Sequence, residues 1–230
     1  MNSLHFDDVY ASYGAYKALN GLSFSLGPGE ALAVLGRNGV GKSTLARTAT
    51  SLVAVRSGVL EVLGHSVGSM RTHDVARLGV VHLPEGVGLF SGLSIEENLV
   101  MRIGGSNAKE RRSRLSAALE ALGPLKDRRR AKAGLLSGGQ QRLVAVSAAL
   151  AAQPKLLLAD EPAMGLSPAA ADDVYEALSR VRETGAAMVI IETRLGHVQD
   201  LCSRAIVMSD GRAVYDGAMD NAHDALVRLL

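Results

Sequence analysis

The run ALAVL at residues 31–35 passes directly into GRNGVGKSTL, residues 36–45, and this junction restricts the fold more than any other stretch of the chain. Five apolar residues without alternation read as a short strand buried on both faces. The glycines that follow make a turn, and STL opens a helix. Gly36, Gly41, Lys42 and Ser43 fit the spacing G-x-x-x-x-G-K-[ST], in the context that motif requires, strand before and helix after. Glycines there let backbone N–H groups turn inward on phosphate oxygens, and the helix N-terminus adds a favourable dipole. Gly36, Arg37, Asn38, Gly39, Val40, Gly41, Lys42, Ser43 and Thr44 are therefore candidate nucleotide-binding residues. Lys42 is expected to reach the outer phosphates and the Ser43 hydroxyl to bind Mg²⁺. The alternative is a chance glycine turn, against which the flanking strand and helix argue.

Further apolar runs repeat the theme: LSFSL (22–26), GVVHL (79–83), KLLLA (155–159), AAMVIIE (186–192) and RAIVM (204–208). Helical patterns lie between several of them. In PAAADDVYEALSRVRETG, Ser167 is the expected N-cap, Pro168 the first helical residue and Gly185 the stop. Strand and helix in alternation predict an α/β fold with a mostly parallel sheet. The early strands 4–10 and 22–26 come without helices and predict an antiparallel β fringe. From 94 to 152 the pattern changes to helices: a capping box at Ser94 and Glu97, then SNAKERRSRLSAALEAL, then QQRLVAVSAALAA, read as a long amphipathic helix. The expectation is a single domain over 1–230, with its core at about 1–93 and 153–230 and a helical lobe inserted at about 94–152.

Composition narrows function. With 47% hydrophobic residues the chain can bury a real core. Lys and Arg number 25 against 23 Asp and Glu, leaving +2, too weak a field to argue for nucleic acid. KDRRRAK at 126–132 reads as a solvated connector. A single cysteine, Cys202, leaves no internal disulfide or cysteine-based zinc cluster. LVAVSAALAA, the longest apolar stretch, falls well short of the roughly 20 residues of a spanning helix. No basic-then-apolar leader opens the chain, so a membrane role is expected to come through a partner.

Two more stretches bear on chemistry. LLLADEP, 156–162, ends a buried strand on adjacent carboxylates, at the sheet edge where ligands of open α/β sheets sit. Asp160 is suited to orient a Mg²⁺ shell through water, and Glu161 to polarise the attacking water. A solvated strand end stopped by Pro162 is the plainer alternative. LLSGGQQRL, 135–143, opens its helix with a serine and two glycines. Ser137 suits a plain helix cap, but the stretch is also a second anion-binding helix start.

In order and spacing, GRNGVGKST, LSGGQQ and LLLADEP resemble the ATP-binding cassette (ABC) ATPases over essentially the whole chain. The resemblance implies a phosphate-loop NTPase core, ATP and Mg²⁺ as ligands, and two cassettes facing head to tail. Ser137, Gly138, Gly139 and Gln140 then act in trans on the partner's γ-phosphate. Tyr13, in SYGAYKAL, matches the aromatic that stacks on adenine, with Tyr10 and Tyr16 nearby. Glu85, in PEGVGLF, stands where the family most often has a glutamine touching Mg²⁺. Thr193 stands where most cassettes present a histidine to the γ-phosphate. Arg194 can reach in its place, and His197 lies about one helical turn further on.

PEG, LF and LSIEENL are similar to bacterial importer cassettes for branched-chain and other hydrophobic amino acids, or for urea and short amides. AMGLSP, 163–168, is similar to the same subgroup, with Ser167 where many cassettes carry aspartate. Phe90 and Leu93 are expected either to meet a coupling helix or to pack the lobe. The implied function is an ATPase subunit, peripheral on the cytoplasmic face of the cell membrane, driving transmembrane permease subunits. The alternative is a weakly hydrolysing half of a heterodimer, suggested by Glu85 and Thr193. A soluble cassette acting on DNA or ribosomes fits less well, since heptad runs and basic charge are absent.

Overall fold

The computed structural model describes residues 1–86, 88–104 and 107–227; Val87 of PEGVGLF and Ser106, ahead of the charged helix, lie outside them. In chain order the first half runs β1 (Leu4–Tyr13), β2 (Tyr16–Leu26), β3 (Ala31–Leu35), α1 (Lys42–Ala49), β4 (Val55–Val62), β5 (His65–Ser66), α2 (Thr72–Arg77), β6 (Val80–Leu83), α3 (Ile95–Val100) and α4 (Ala108–Glu120). The second half runs α5 (Gly138–Ala152), β7 (Leu156–Asp160), α6 (Pro168–Glu183), β8 (Ala187–Glu192), α7 (Val198–Leu201), β9 (Arg204–Ser209), β10 (Arg212–Ala218) and α8 (Ala222–Val227).

Among the described residues the strands make two sheets. One has the order β10-β9-β3-β8-β7-β6, parallel except where β10 returns against β9. The other, β2-β1-β4-β5, is antiparallel, a fuller fringe than the two early strands alone. The missing alternation in the apolar runs now has its cause. Ala33, Leu35, Leu157, Ala159, Met188 and Ile190 face one hydrophobic cluster, which includes α5 and α6. Leu32, Val34, Leu156, Leu158, Val189 and Ile191 face the other, with α1 and the antiparallel sheet. Successive side chains point to opposite faces, and both faces are covered.

Register places the site. Leu35 pairs with Glu192, Asp160 with Ile191 and Leu83 with Ala159, so β3, β8, β7 and β6 end at one edge. The helices α3, α4 and α5 lie between β6 and β7, as the inserted helical pattern requires. The Ser94–Glu97 capping box forms, and Ser167 Oγ accepts from Ala170 N–H at 3.4 Å ahead of Pro168. One expectation needs correcting. The helix after LSGG is not amphipathic: every residue from Arg142 to Ala151 is buried, because α5 is enclosed by lobe, sheet and α6. KDRRRAK is mostly exposed, as a connector should be. No helix among the described residues is long and apolar enough to cross a membrane.

Candidate functional site

A cleft of about 360 Å³ opens at the shared strand edge, lined by Tyr16, Asn38, Gly39, Gly41, Lys42, Ser43, Thr44, Glu85 and Glu161 among others. Its floor is the loop between β3 and α1. Gly41 has φ 105°, and a Cβ there would stand 2.4 Å from the Ala18 carbonyl oxygen. Gly36 has φ 152°, and its Cβ would meet the Met208 carbonyl oxygen at 2.6 Å. Only glycine satisfies both backbone and space. Lys42 is buried and donates to the carbonyls of Gly36 at 2.8 Å and Arg37 at 3.1 Å, folding the loop around its own ammonium group. Burial lowers the Lys42 pKa, and nearby Glu161 and Asp160 oppose that shift.

At the end of β7 the two carboxylates differ. Asp160 is 1% exposed and its Oδ1 has no hydrogen-bond partner among the described residues. Burial raises its pKa, Glu161 and Glu85 add to the rise, and hydrogen bonding to Ser43 opposes it. A buried carboxylate oxygen left unpaired beside a hydroxyl and two further carboxylates is a donor set suited to a hard dication. Glu161 turns away from the strand at φ 48°, its N–H held by the Ile191 carbonyl at 2.9 Å. Its Oε1 stands 3.8 Å from Lys42 Nζ.

Thr193, directly after β8, reaches the same carboxylate. Its Oγ1 lies 2.9 Å from Glu161 Oε1 and 3.2 Å from Asn38 Oδ1. A hydroxyl has one proton, and the charge-assisted bond to the carboxylate is the stronger use of it. A half-turn of the Asn38 amide then presents its NH₂ to the remaining lone pairs. Arg194 is exposed on the same turn. His197 points elsewhere: its Nε2 meets Asp172 Oδ1 at 2.8 Å and its ring stacks on Tyr175.

The structure does not bring every expected residue to the cleft. Tyr13 is outside the lining, and its hydroxyl accepts from Arg47 at 3.3 Å. Tyr16 lines the cleft instead, its hydroxyl donating to the Gly39 carbonyl at 3.1 Å. The separation of three residues between two exposed strand tyrosines carried no signal for choosing between them. Ser137, Gly138, Gly139 and Gln140 are also outside the lining. Ser137 and Gln140 form a capping box, Ser137 Oγ accepting from Gln140 N–H at 3.3 Å and Gln140 Oε1 from Ser137 N–H at 3.2 Å. A Cβ at Gly139 would stand 2.9 Å from Ala170 Cβ, so the absence of a side chain lets α5 close on α6.

Arg142 escaped the sequence reading altogether. It donates to the carbonyls of Pro84 at 2.9 Å, Gly86 at 3.2 Å and Glu85, pinning the loop that carries Glu85 to α5. Burial lowers its pKa, with Glu85 the first of the carboxylates that oppose the shift.

Comparison with known proteins agrees with this geometry. The family model described as ABC transporter matches residues 19–164. The high-affinity branched-chain amino acid transport ATP-binding protein BraG of Pseudomonas aeruginosa is 34% identical over 211 residues, covering 92% of this chain and 91% of the relative. The Nod factor export ATP-binding protein I of Rhizobium etli is 32% identical over 229 residues, covering 99% of this chain and 72% of the relative. A solved nucleotide-free ATP-binding cassette from an ABC transporter superposes with a TM-score of 0.85 at 26% identity, covering 99% of this chain and 96% of that one. A phosphate loop, a buried carboxylate strand end and an inserted helical lobe, matched along the chain by these relatives, place it in the ATP-binding cassette family as the ATP-binding subunit of an ABC transporter.

Proposed function

We propose that the chain binds and hydrolyses ATP to power a bacterial membrane importer for branched-chain or other hydrophobic amino acids or related small solutes. One observation carries the hydrolytic reading: Lys42 at the start of α1 converges with Glu161 and Thr193, the residues that follow β7 and β8, with the orphaned Asp160 oxygen beside Ser43. The loop 36–44 binds the phosphates, and Tyr13 or Tyr16 contacts the base. Ser43, Asp160 and Glu85 hold Mg²⁺, which supplies charge neutralisation at the phosphates when bound. Glu161 polarises the attacking water, help worth on the order of 10²- to 10⁴-fold. Ser137, Gly138, Gly139 and Gln140, absent from the lining of their own cleft, serve the γ-phosphate of a second cassette.

The importer reading is supported by PEG, LSIEENL and GLSP in this chain and by the near end-to-end match to BraG. The cassette works as one domain with its lobe at 94–152, peripheral on the cytoplasmic face of the membrane against permease subunits. Phe90, 54% exposed, is an apolar contact offered to them. On this reading, loss of the chain from its host lowers uptake of at least one of leucine, phenylalanine and urea; unchanged uptake of all three would sink the solute assignment.

A second reading has its own observation. Thr193 occupies the place of the family's histidine, and its hydroxyl is engaged with Glu161. A chain so built serves as the weakly hydrolysing half of a heterodimer. ATP turnover by the chain alone, then with a candidate partner cassette, separates the two, with Lys42→Ala and Glu161→Gln as controls. Robust turnover alone, abolished by Glu161→Gln, excludes the heterodimer half.

A further inference from the structure

A second cavity, of about 540 Å³, lies beside the first, with Glu161, Ala163, Tyr175, Glu192, Thr193 and His197 in its wall. Three contacts join α6 to the end of β8 and the turn that follows it. Tyr175 Oη donates to Glu192 Oε1 at 2.9 Å. The Tyr175 ring stacks on His197, with centroids 5.1 Å apart and planes at 21°. His197 Nε2 meets Asp172 Oδ1 at 2.8 Å. Asp172 and Tyr175 are one turn apart on α6, so a single face of that helix grips both ends of the Glu192–His197 stretch.

The grip is rigid at its base. Tyr175 is 9% exposed and belongs to the core cluster around α5 and α6. The Glu192 carboxyl is held above the usual carboxylate range by burial, while the Tyr175 hydroxyl and the N–H groups of Ala163 and Thr193 favour its charged form. Those two N–H groups matter for placement. Ala163 lies two residues past Glu161, and Thr193 places its hydroxyl 2.9 Å from Glu161 Oε1. In its first turn, two residues before Asp172, α6 also meets the signature helix, where Gly139 leaves room for Ala170.

We propose that Glu192 and Tyr175 are positioning residues that hold the Thr193 turn to α6, so that the placement of Thr193 against Glu161 follows the position of α6 and, through Ala170, of the signature helix. The path from Gly139 to Glu161 runs through the packing of α5 on α6, along α6 to Tyr175, across its hydrogen bond to Glu192, and from the adjoining Thr193 by its hydrogen bond to Glu161. The inference rests on the reading of Glu161 as the group that activates water. It adds a dependence which that reading alone does not require.

Amide hydrogen exchange on the full chain tests placement directly. In Glu192→Ala and Tyr175→Phe, exchange over 190–198 is expected to rise about tenfold, the equivalent of one lost charge-assisted hydrogen bond, while 36–45 stays unchanged. Glu192→Gln keeps an acceptor oxygen for Tyr175 and is expected to restore most of the protection. In steady-state turnover the first two variants are expected to lower kcat about tenfold with the KM for ATP within about twofold, and the double variant to be no worse than Glu192→Ala. Unchanged exchange over 190–198 overturns the proposal whether or not the chain hydrolyses ATP. Raised exchange with unchanged kcat overturns it too, as does a loss of kcat matched by an equal rise in KM and a fall in Tm. A wild type no faster than Glu161→Gln strikes instead at the proposed function, and the exchange data then decide the positioning claim alone.

Discussion

Glu161 holds a left-handed backbone at φ 48°, a conformation costing a non-glycine residue about 1–3 kcal/mol, and it does so between a buried lysine and a threonine hydroxyl. The strain turns the carboxylate out of the strand and into the cleft. Thr193 tests what its hydroxyl contributes, because valine has the same shape without the proton. Thr193→Val is expected to lower turnover on the order of 10- to 100-fold with ATP affinity within about twofold, measured by steady-state kinetics and nucleotide titration. Equal turnover would show that the Thr193–Glu161 bond is idle in the reaction. A second residue controls stability rather than chemistry. Burial holds His82 at a pKa of about 4, below its usual 6.5, with Arg47 adding to the drop. Since the folded state resists protonation, stability is full above pH 6.5 and lost progressively as pH falls toward 4. The slope reaches at most about 1.4 kcal/mol per pH unit. His82→Gln is expected to flatten that part of a pH series of urea melts; an unchanged slope would assign the loss to other groups.

At the scale of elements, the short strands and their caps were legible because local chemistry sets them. Ser94 with Glu97 and Ser167 with Pro168 cap their helices as read, since a cap needs only neighbours within one turn. The enclosure of α5 was not legible, because alanines and valines read alike on an amphipathic helix and on one buried all round. Arg142 shows the same limit. Its acceptors lie 56 to 58 residues earlier in the chain, and only the docking of α5 beside β6 brings them together. Arg142→Met keeps length and apolar volume but leaves the Pro84, Glu85 and Gly86 carbonyls without their donor. A cost of about 1–3 kcal/mol and faster hydrogen exchange around 84–86 are expected. Unchanged exchange there would mean that the loop is held by its own backbone.

For the whole molecule, the separation of the signature from the Lys42 cleft makes assembly a measurable consequence. With ATP and Mg²⁺, Glu161→Gln is expected to double in mass by sedimentation, while ADP leaves it single and Ser137→Arg abolishes the doubling. A Glu161→Gln chain that stays single under ATP would favour a different partner cassette over a second copy of this chain. The α/β class, the order of the phosphate loop, signature and carboxylate strand, and the family itself could be determined from the sequence alone. Each depends on contiguous residues whose spacing is the chemistry: glycines where N–H groups must turn inward, apolar runs where both faces are covered, carboxylates at a strand end. Only the tertiary structure decided that Tyr16 lines the cleft and Tyr13 does not, that Arg142 clamps the Glu85 loop, and that Tyr175 of α6 bonds Glu192, the residue before Thr193. Those contacts join residues from 17 to 58 positions apart. Strand register and helix docking set such distances, and no local pattern in the chain encodes them.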